Sequence, residues 1–164
     1  WRYGWRCSGR SEAKRAMCPP QDPPQDTPPA AAHGVTHGAC LCGAVRFTLR
    51  LPTRWIAHCH CTLCQRAHGA AFVTWVSIDA QRFALEAQDD ALTWYASSPQ
   101  AERGFCRLCG SSLLFRSARW PGEVHVARAN IAGPLDRLPQ MHGFYDTHVD
   151  WFTVNDGLPR KPDP

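Results

Sequence analysis

The chain has 164 residues, 44% of them apolar, which suits a single folded domain with a buried core. No stretch approaches the roughly 18 consecutive apolar residues of a membrane helix. The net charge of +4 is carried by Arg2, Arg6, Arg10, Lys14 and Arg15 against Glu12. The rest of the chain is neutral and offers no clustered basic patch of the kind that grips nucleic acid.

Residues 1–16 show neither helical nor strand periodicity, and they lack the apolar region of a signal peptide. Met17 is a candidate initiator. Six prolines follow between Cys18 and Ala32, a composition that favours extended chain over a packed core. Residues 1–34 are therefore read as a disordered basic and proline-rich arm, and residues 35–164 as the folded domain. The absence of an export signal places the chain in a reducing cytoplasm, where clustered cysteines indicate metal or catalysis rather than disulfides. Cys7 and Cys18 lie in the arm with no partner at metal spacing.

Order is expected from Gly38. Val45, Phe47 and Leu49 alternate with Arg46, Thr48 and Arg50, the pattern of a half-buried strand that Pro52 ends. Trp55 to His58 leads into Cys59-His60-Cys61-Thr62-Leu63-Cys64. Gln65 to Gly69 reads as a short helical turn stopped by glycine. Phe72 to Ile78 reads as a buried strand. Phe83–Leu85 and Leu92–Tyr95 are shorter strands separated by an acidic turn at Asp89-Asp90. Leu113–Phe115 and Val124–Ala127 follow, with a turn at Trp120-Pro121-Gly122. Beyond Gly133 the chain is loop-rich, and Phe144, Tyr145, Trp151 and Phe152 are expected to pin it to the body. No amphipathic run is long enough for a three-turn helix. The fold class is mainly β, with few or short helices.

Seven of the nine cysteines form three groups. In Cys106-Arg107-Leu108-Cys109-Gly110 a two-residue gap aims both sulfurs at one ion, and the glycine permits the positive φ the chain needs as it leaves. Cys40-Leu41-Cys42-Gly43 is a second clip, in which an extended chain would set both side chains on one face. Two clips make four thiolates, the usual structural zinc site. Cys59, Cys61 and Cys64 then stand alone. Three thiolates leave one tetrahedral position, filled either by His58, His60 or His68 as a second structural zinc, or by water or an incoming thiol. Such a site suits exchanging a soft thiolate better than generating hydroxide. Arg66 is a candidate partner for a carboxylate, and His60 and His68 are candidate proton shuttles. His125 reads as a structural histidine, His142 and His148 as residues that could lean over the pocket, and the tryptophans as core and tail anchors.

Gly38 to Phe47, the triad with Arg66, Gly69 and Phe72, and Phe105-Cys106-x-x-Cys109-Gly110 resemble the glutathione-dependent formaldehyde-activating enzyme family. The later Leu135, Pro139, His142 and Trp151 fit the same pattern. Gln65 stands where the typical motif has a basic residue. The resemblance spans roughly residues 35–160 and implies an Mss4-like fold of small antiparallel sheets stapled by zinc. It further implies two zinc ions per chain: a structural one on Cys40, Cys42, Cys106 and Cys109, and a catalytic one on Cys59, Cys61 and Cys64. The family reaction joins formaldehyde to glutathione, a carbon–sulfur lyase activity in reverse, with a small thiol and a carbonyl compound as partners and His60, Arg66 and His68 as candidate substrate contacts. The competing expectation is a non-catalytic zinc-stapled interaction module of the same fold.

Overall fold

The structure is a computed structural model, and it describes residues 34–163. The arm assigned to residues 1–34, with Cys7 and Cys18, lies outside the described residues but for Gly34.

Two sheets hold the described chain. The smaller has order β1-β2-β5, from β1 (Val35–Ala39), β2 (Val45–Arg50) and β5 (Phe83–Ala87), all antiparallel. The larger runs β10-β3-β4-β9-β8-β7-β6. Its members are β3 (Trp55–Cys59), β4 (Val73–Asp79), β6 (Leu92–Ser98), β7 (Ala101–Cys106), β8 (Ser112–Ser117), β9 (Glu123–Ala127) and β10 (His142–Gly143). All its pairs are antiparallel except β10 on β3. One α-helix is present among the described residues, α1 (Thr62–His68), and no helix is long and apolar enough to cross a membrane. The fold is mainly β, as the sequence predicts.

Alternation explains β2. Val45, Phe47 and Leu49 are buried while Arg46 and Arg50 are exposed, so every second side chain enters the space between the sheets. Strand β4 is buried on both faces. Val76 and Ile78 join the main core with Ile56, Leu114 and Val126, while Val73 and Trp75 join a second cluster with Cys64 and Ala127. That second cluster is the floor of the functional site. The acidic turn at Asp89-Asp90 has positive φ at both residues, and it carries the chain from the small sheet to the large one.

Three strands go beyond the expected pattern. Strand β1 begins before Gly38, β3 runs directly into Cys59, and β7 precedes Cys106 through Glu102, Arg103 and Gly104. Cys40 to Gly43 is a tight turn and not extended chain: the Gly43 N–H donates to the Cys40 carbonyl at 3.0 Å and Gly43 takes φ 79°. The tail is only partly pinned. Tyr145 packs on His60 and Phe152 on Phe72, but Trp151 is 69% exposed.

Candidate functional site

Two turns build the first sulfur cluster. In the second turn the Gly110 N–H donates to the Cys106 carbonyl at 2.8 Å with Gly110 at φ 75°, a conformation glycine adopts without steric cost. The sulfurs of Cys40, Cys42, Cys106 and Cys109 all lie within 4.8 Å of one another. Cys40 and Cys42 are 3.5 Å apart, and Cys42 and Cys106 3.8 Å. A tetrahedral ion with metal–sulfur bonds near 2.3 Å needs sulfurs about 3.8 Å apart, so this donor set fits zinc. The Val45 N–H donates to Cys40 Sγ at 3.3 Å. Hydrogen bonding to Ser111 leads the influences that hold Cys109 down to about 5, in thiolate form.

The second cluster sits where β3 turns into α1. Cys61 is the N-cap, its sulfur accepting the Cys64 N–H at 3.3 Å, and Gly69 ends the helix in the left-handed region at φ 58°. Cys59, Cys61 and Cys64 place their sulfurs within 4.8 Å of one another, with Cys59 and Cys64 3.5 Å apart. Among the described residues, no histidine or carboxylate joins them within that distance. This donor set also fits zinc, with one tetrahedral position left over. His58, His60 and His68, considered above as fourth ligands, are all engaged elsewhere.

Charge in this cluster settles on Cys64. Its hydrogen bonds with Cys59 and Cys61 lower its pKa most, and the Arg103 guanidinium and the Trp75 indole add to the effect. Cys59 is pushed upward by its hydrogen bonds with Cys61 and Cys64 and by burial. Arg103 reaches Cys64 Sγ through two nitrogens at 3.5 and 3.6 Å while lying 5.0 Å over the Phe115 ring, and Trp75 Nε1 stands 3.4 Å from the same sulfur.

The triad opens onto a cavity of about 850 Å³, within the range of small-molecule sites. Its back wall is a cross-strand row on one face of the large sheet. Register pairs Trp55 with Ser77, Ser77 with His125, His125 with Phe115, and Phe115 with Arg103. Trp75, Trp120 and Lys161 also line it. Trp55 and Trp120 are therefore cavity walls, where the sequence suggested core and tail anchors, while Trp75 is both wall and core. Arg103 and Lys161 were not legible in any motif; the signal for Arg103 is its place two residues after Ala101, on the same face of β7.

His60, Arg66 and His68 do not line this cavity. His60 is 2% exposed, its Nε2 2.8 Å from His142 Nδ1 and its ring against Phe72 and Tyr145. In that setting burial, then His142, brings its pKa down to about 4 and keeps it neutral. Arg66 is on the exposed face of α1, and His68 stands edge-on to Trp75 in a separate, smaller cavity. Arg66 turns to solvent on α1, His68 packs on Trp75, and the tail holds His60 through His142.

His142 is fully buried and its Nε2 lies 2.9 Å from Asp156, forming with His58 a third group of potential ligands. His148 stacks on Tyr145. His125 is buried, lies 3.2 Å from Glu123 and is held neutral by burial, the structural role expected of it. Gln65 donates to the carbonyls of His60 and Thr147 at 2.6 and 2.9 Å, so the amide at this unusual position ties the tail to the triad loop.

Fold and clusters together define a mainly β protein with two thiolate sites of metal-binding geometry, one closed by four sulfurs and one open on a cavity. The chain belongs to the glutathione-dependent formaldehyde-activating enzyme family, whose model matches residues 35–147. It is 31% identical over 125 residues to a Halomonas elongata protein provisionally named a glutathione-dependent formaldehyde-activating enzyme, covering 71% of this chain and 79% of that one. Its fold is shared with a Rhodobacter sphaeroides protein of known crystal structure, with a TM-score of 0.51 at 22% identity over 76% of this chain and 98% of that chain.

Proposed function

We propose that the protein is a zinc-dependent carbon–sulfur lyase-type enzyme of the reducing cytoplasm, acting on glutathione adducts of formaldehyde or another small carbonyl compound. Cys40, Cys42, Cys106 and Cys109 would hold a structural zinc, and Cys59, Cys61 and Cys64 a catalytic one. The observation that carries this reading is the three-sulfur cluster with no fourth protein ligand among the described residues, facing a cavity beside a guanidinium. When bound there, zinc supplies a docking point for a thiolate and Lewis-acid polarisation of the carbonyl.

The reaction needs no redox partner. In the condensing direction the thiol sulfur bonds to the carbonyl carbon, the C=O π pair moves to oxygen, and oxygen takes up a proton. The reverse breaks the C–S bond, leaves its electron pair on sulfur and restores the carbonyl. Both directions pass through negative charge on sulfur or oxygen. Arg103 is placed to bear it: among the described residues it pairs with no carboxylate, and it already faces the sulfur of Cys64. A preorganised cation in a partly dry cavity stabilises such charge far better than water-exposed lysine does. The aromatic walls exclude water that would otherwise compete for the carbonyl.

The test is spectroscopic. With cobalt in the triad site, saturating glutathione should change the ligand-field spectrum, and Cys61→Ser should abolish the change. A spectrum indifferent to glutathione, with a protein side chain as fourth ligand, would refute the enzyme reading and leave a zinc-stapled interaction module.

A further inference from the structure

The walls of the main cavity do not match the molecules that the family name calls for. Glutathione presents two carboxylates, an ammonium, two amides and a thiol, and formaldehyde is a single carbon. Neither has an apolar group to set against aromatic rings. Yet an aromatic wall starts at the triad and runs away from it. Trp75 touches Cys64 through its indole nitrogen, the Trp75 and Phe115 centroids are 5.8 Å apart, and those of Phe115 and Trp120 are 6.1 Å apart. Trp55 extends it through His125, at 4.7 Å. Amides pressed against this surface would lose water without gaining hydrogen-bond partners, a cost of about 1–3 kcal/mol for each group on mutational scales. The polar requirements of glutathione are met elsewhere in the cavity, at Arg103 and Lys161. Among the described residues neither has a carboxylate partner.

Resting on the thiol-adduct reading above, we infer that the carbonyl compound carried on sulfur in this protein is an aryl aldehyde, its ring lying along Trp75, Phe115 and Trp120 while Arg103 and Lys161 take the carboxylates. The position of the wall fits the chemistry. The substituent on the carbonyl carbon is two bonds from the sulfur, and the first ring of the wall is in contact with the sulfur cluster. In the cleavage direction the hemithioacetal C–S bond breaks with its electrons remaining on sulfur. The hydroxyl proton is released and an aryl aldehyde departs along the apolar wall. In the condensing direction the same wall orients the aldehyde's flat face toward the incoming thiol.

Non-reactive thioethers test this directly. Calorimetric titration of the metal-loaded full chain with S-benzylglutathione and S-methylglutathione should give a dissociation constant about ten- to thirtyfold lower for the benzyl compound, the range expected for burying one aryl ring. Trp120→Ala, at a half-buried position that leaves the core intact, should narrow that ratio to about threefold or less, and Phe115→Ala should do the same. Equal affinities for the two thioethers in the wild type, or a ratio unchanged in both variants, would overturn the inference. If glutathione still alters the cobalt spectrum in that case, the thiol-adduct reading stands with a different carbonyl partner. A silent cobalt spectrum with no binding of either thioether would remove both.

Discussion

Serine in place of Cys42 removes one ligand from the four-sulfur cluster and little else, because this cysteine is exposed and contributes nothing to the core. The clip it makes with Cys106 closes 64 residues of chain. Loop-closure entropy for a tie of that length is about 4 kcal/mol. Cys40 still faces Cys106 and Cys109 in the variant, so the tie goes only with the ion; at roughly 3–4 °C per kcal/mol for a domain of this size, loss of the ion should lower the melting temperature by about 12–16 °C. The triad spans only from Cys59 to Cys64, a separation of 5, for which the same relation gives about 2 kcal/mol. Cys61→Ser should therefore cost about half as much in melting temperature. Circular dichroism melts of reduced, zinc-loaded protein, with metal content measured alongside, would give both numbers, and Cys109→Ser provides a second probe of the same cluster. A Cys42→Ser protein melting within about 3 °C of the wild type, or one less affected than Cys61→Ser, would show that the four-sulfur corner is not what holds the two sheets together.

Cys61→Ser should retain one zinc per chain and lose the other, because two thiolates at an open site hold an ion poorly; elemental analysis reads this. Arg103→Gln should leave the melting temperature almost unchanged, since no carboxylate loses its partner. It should weaken the glutathione-induced cobalt change by about tenfold or more, the range of a charge-assisted hydrogen bond. Gly38→Ala should destabilise by about 1–3 kcal/mol or more, because an added Cβ would overlap the Asn130 carbonyl and the Phe47 ring; denaturant titration measures it. Asp136 is subject to burial, which raises its pKa, but the hydrogen bond it accepts from the Thr53 N–H and its ion pair with Arg137 at 2.9 Å prevail and hold it below the usual carboxylate range. Its folded value being depressed, the stability it contributes is full above pH about 4 and falls away as pH drops through the folded value. Urea titrations between pH 5 and pH 3 should show a steeper loss in the wild type than in Asp136→Asn.

The parts of the fold legible in the sequence are those where one side chain type repeats at one period. Val45–Arg50 alternates without a break, so both its identity and its ends could be read. The cysteine clusters were legible because thiolate spacing is set by metal geometry and not by the fold around it. Strand β7 escaped because Glu102, Arg103 and Gly104 interrupt the apolar alternation, each for its own reason. Glu102 pairs with Arg116 across the strand at 2.7 Å, Gly104 makes room for Trp94 and Leu114, and Arg103 faces the cavity. The cavity wall escaped for a different reason. Trp55 and Phe115 are remote in sequence, and only the pairing of β3, β4, β9 and β8 brings them into one row. His60 was misleading because its place between two metal-type cysteines suggests chemistry, whereas strand pairing with the tail turns it toward His142 and Asp156.

Cys106 belongs to the four-sulfur corner, and Arg103, three residues earlier on β7, faces the sulfur of Cys64 from the opposite side of the sheet. At the rise of a β-strand the two are about 10 Å apart. Pivoting this segment by about ten degrees about its cysteine end would swing the arginine by nearly 2 Å, on the same estimate. That is enough to carry the guanidinium out of reach of its sulfur. The corner that closes the fold is thus also the bearing on which the guanidinium is aimed.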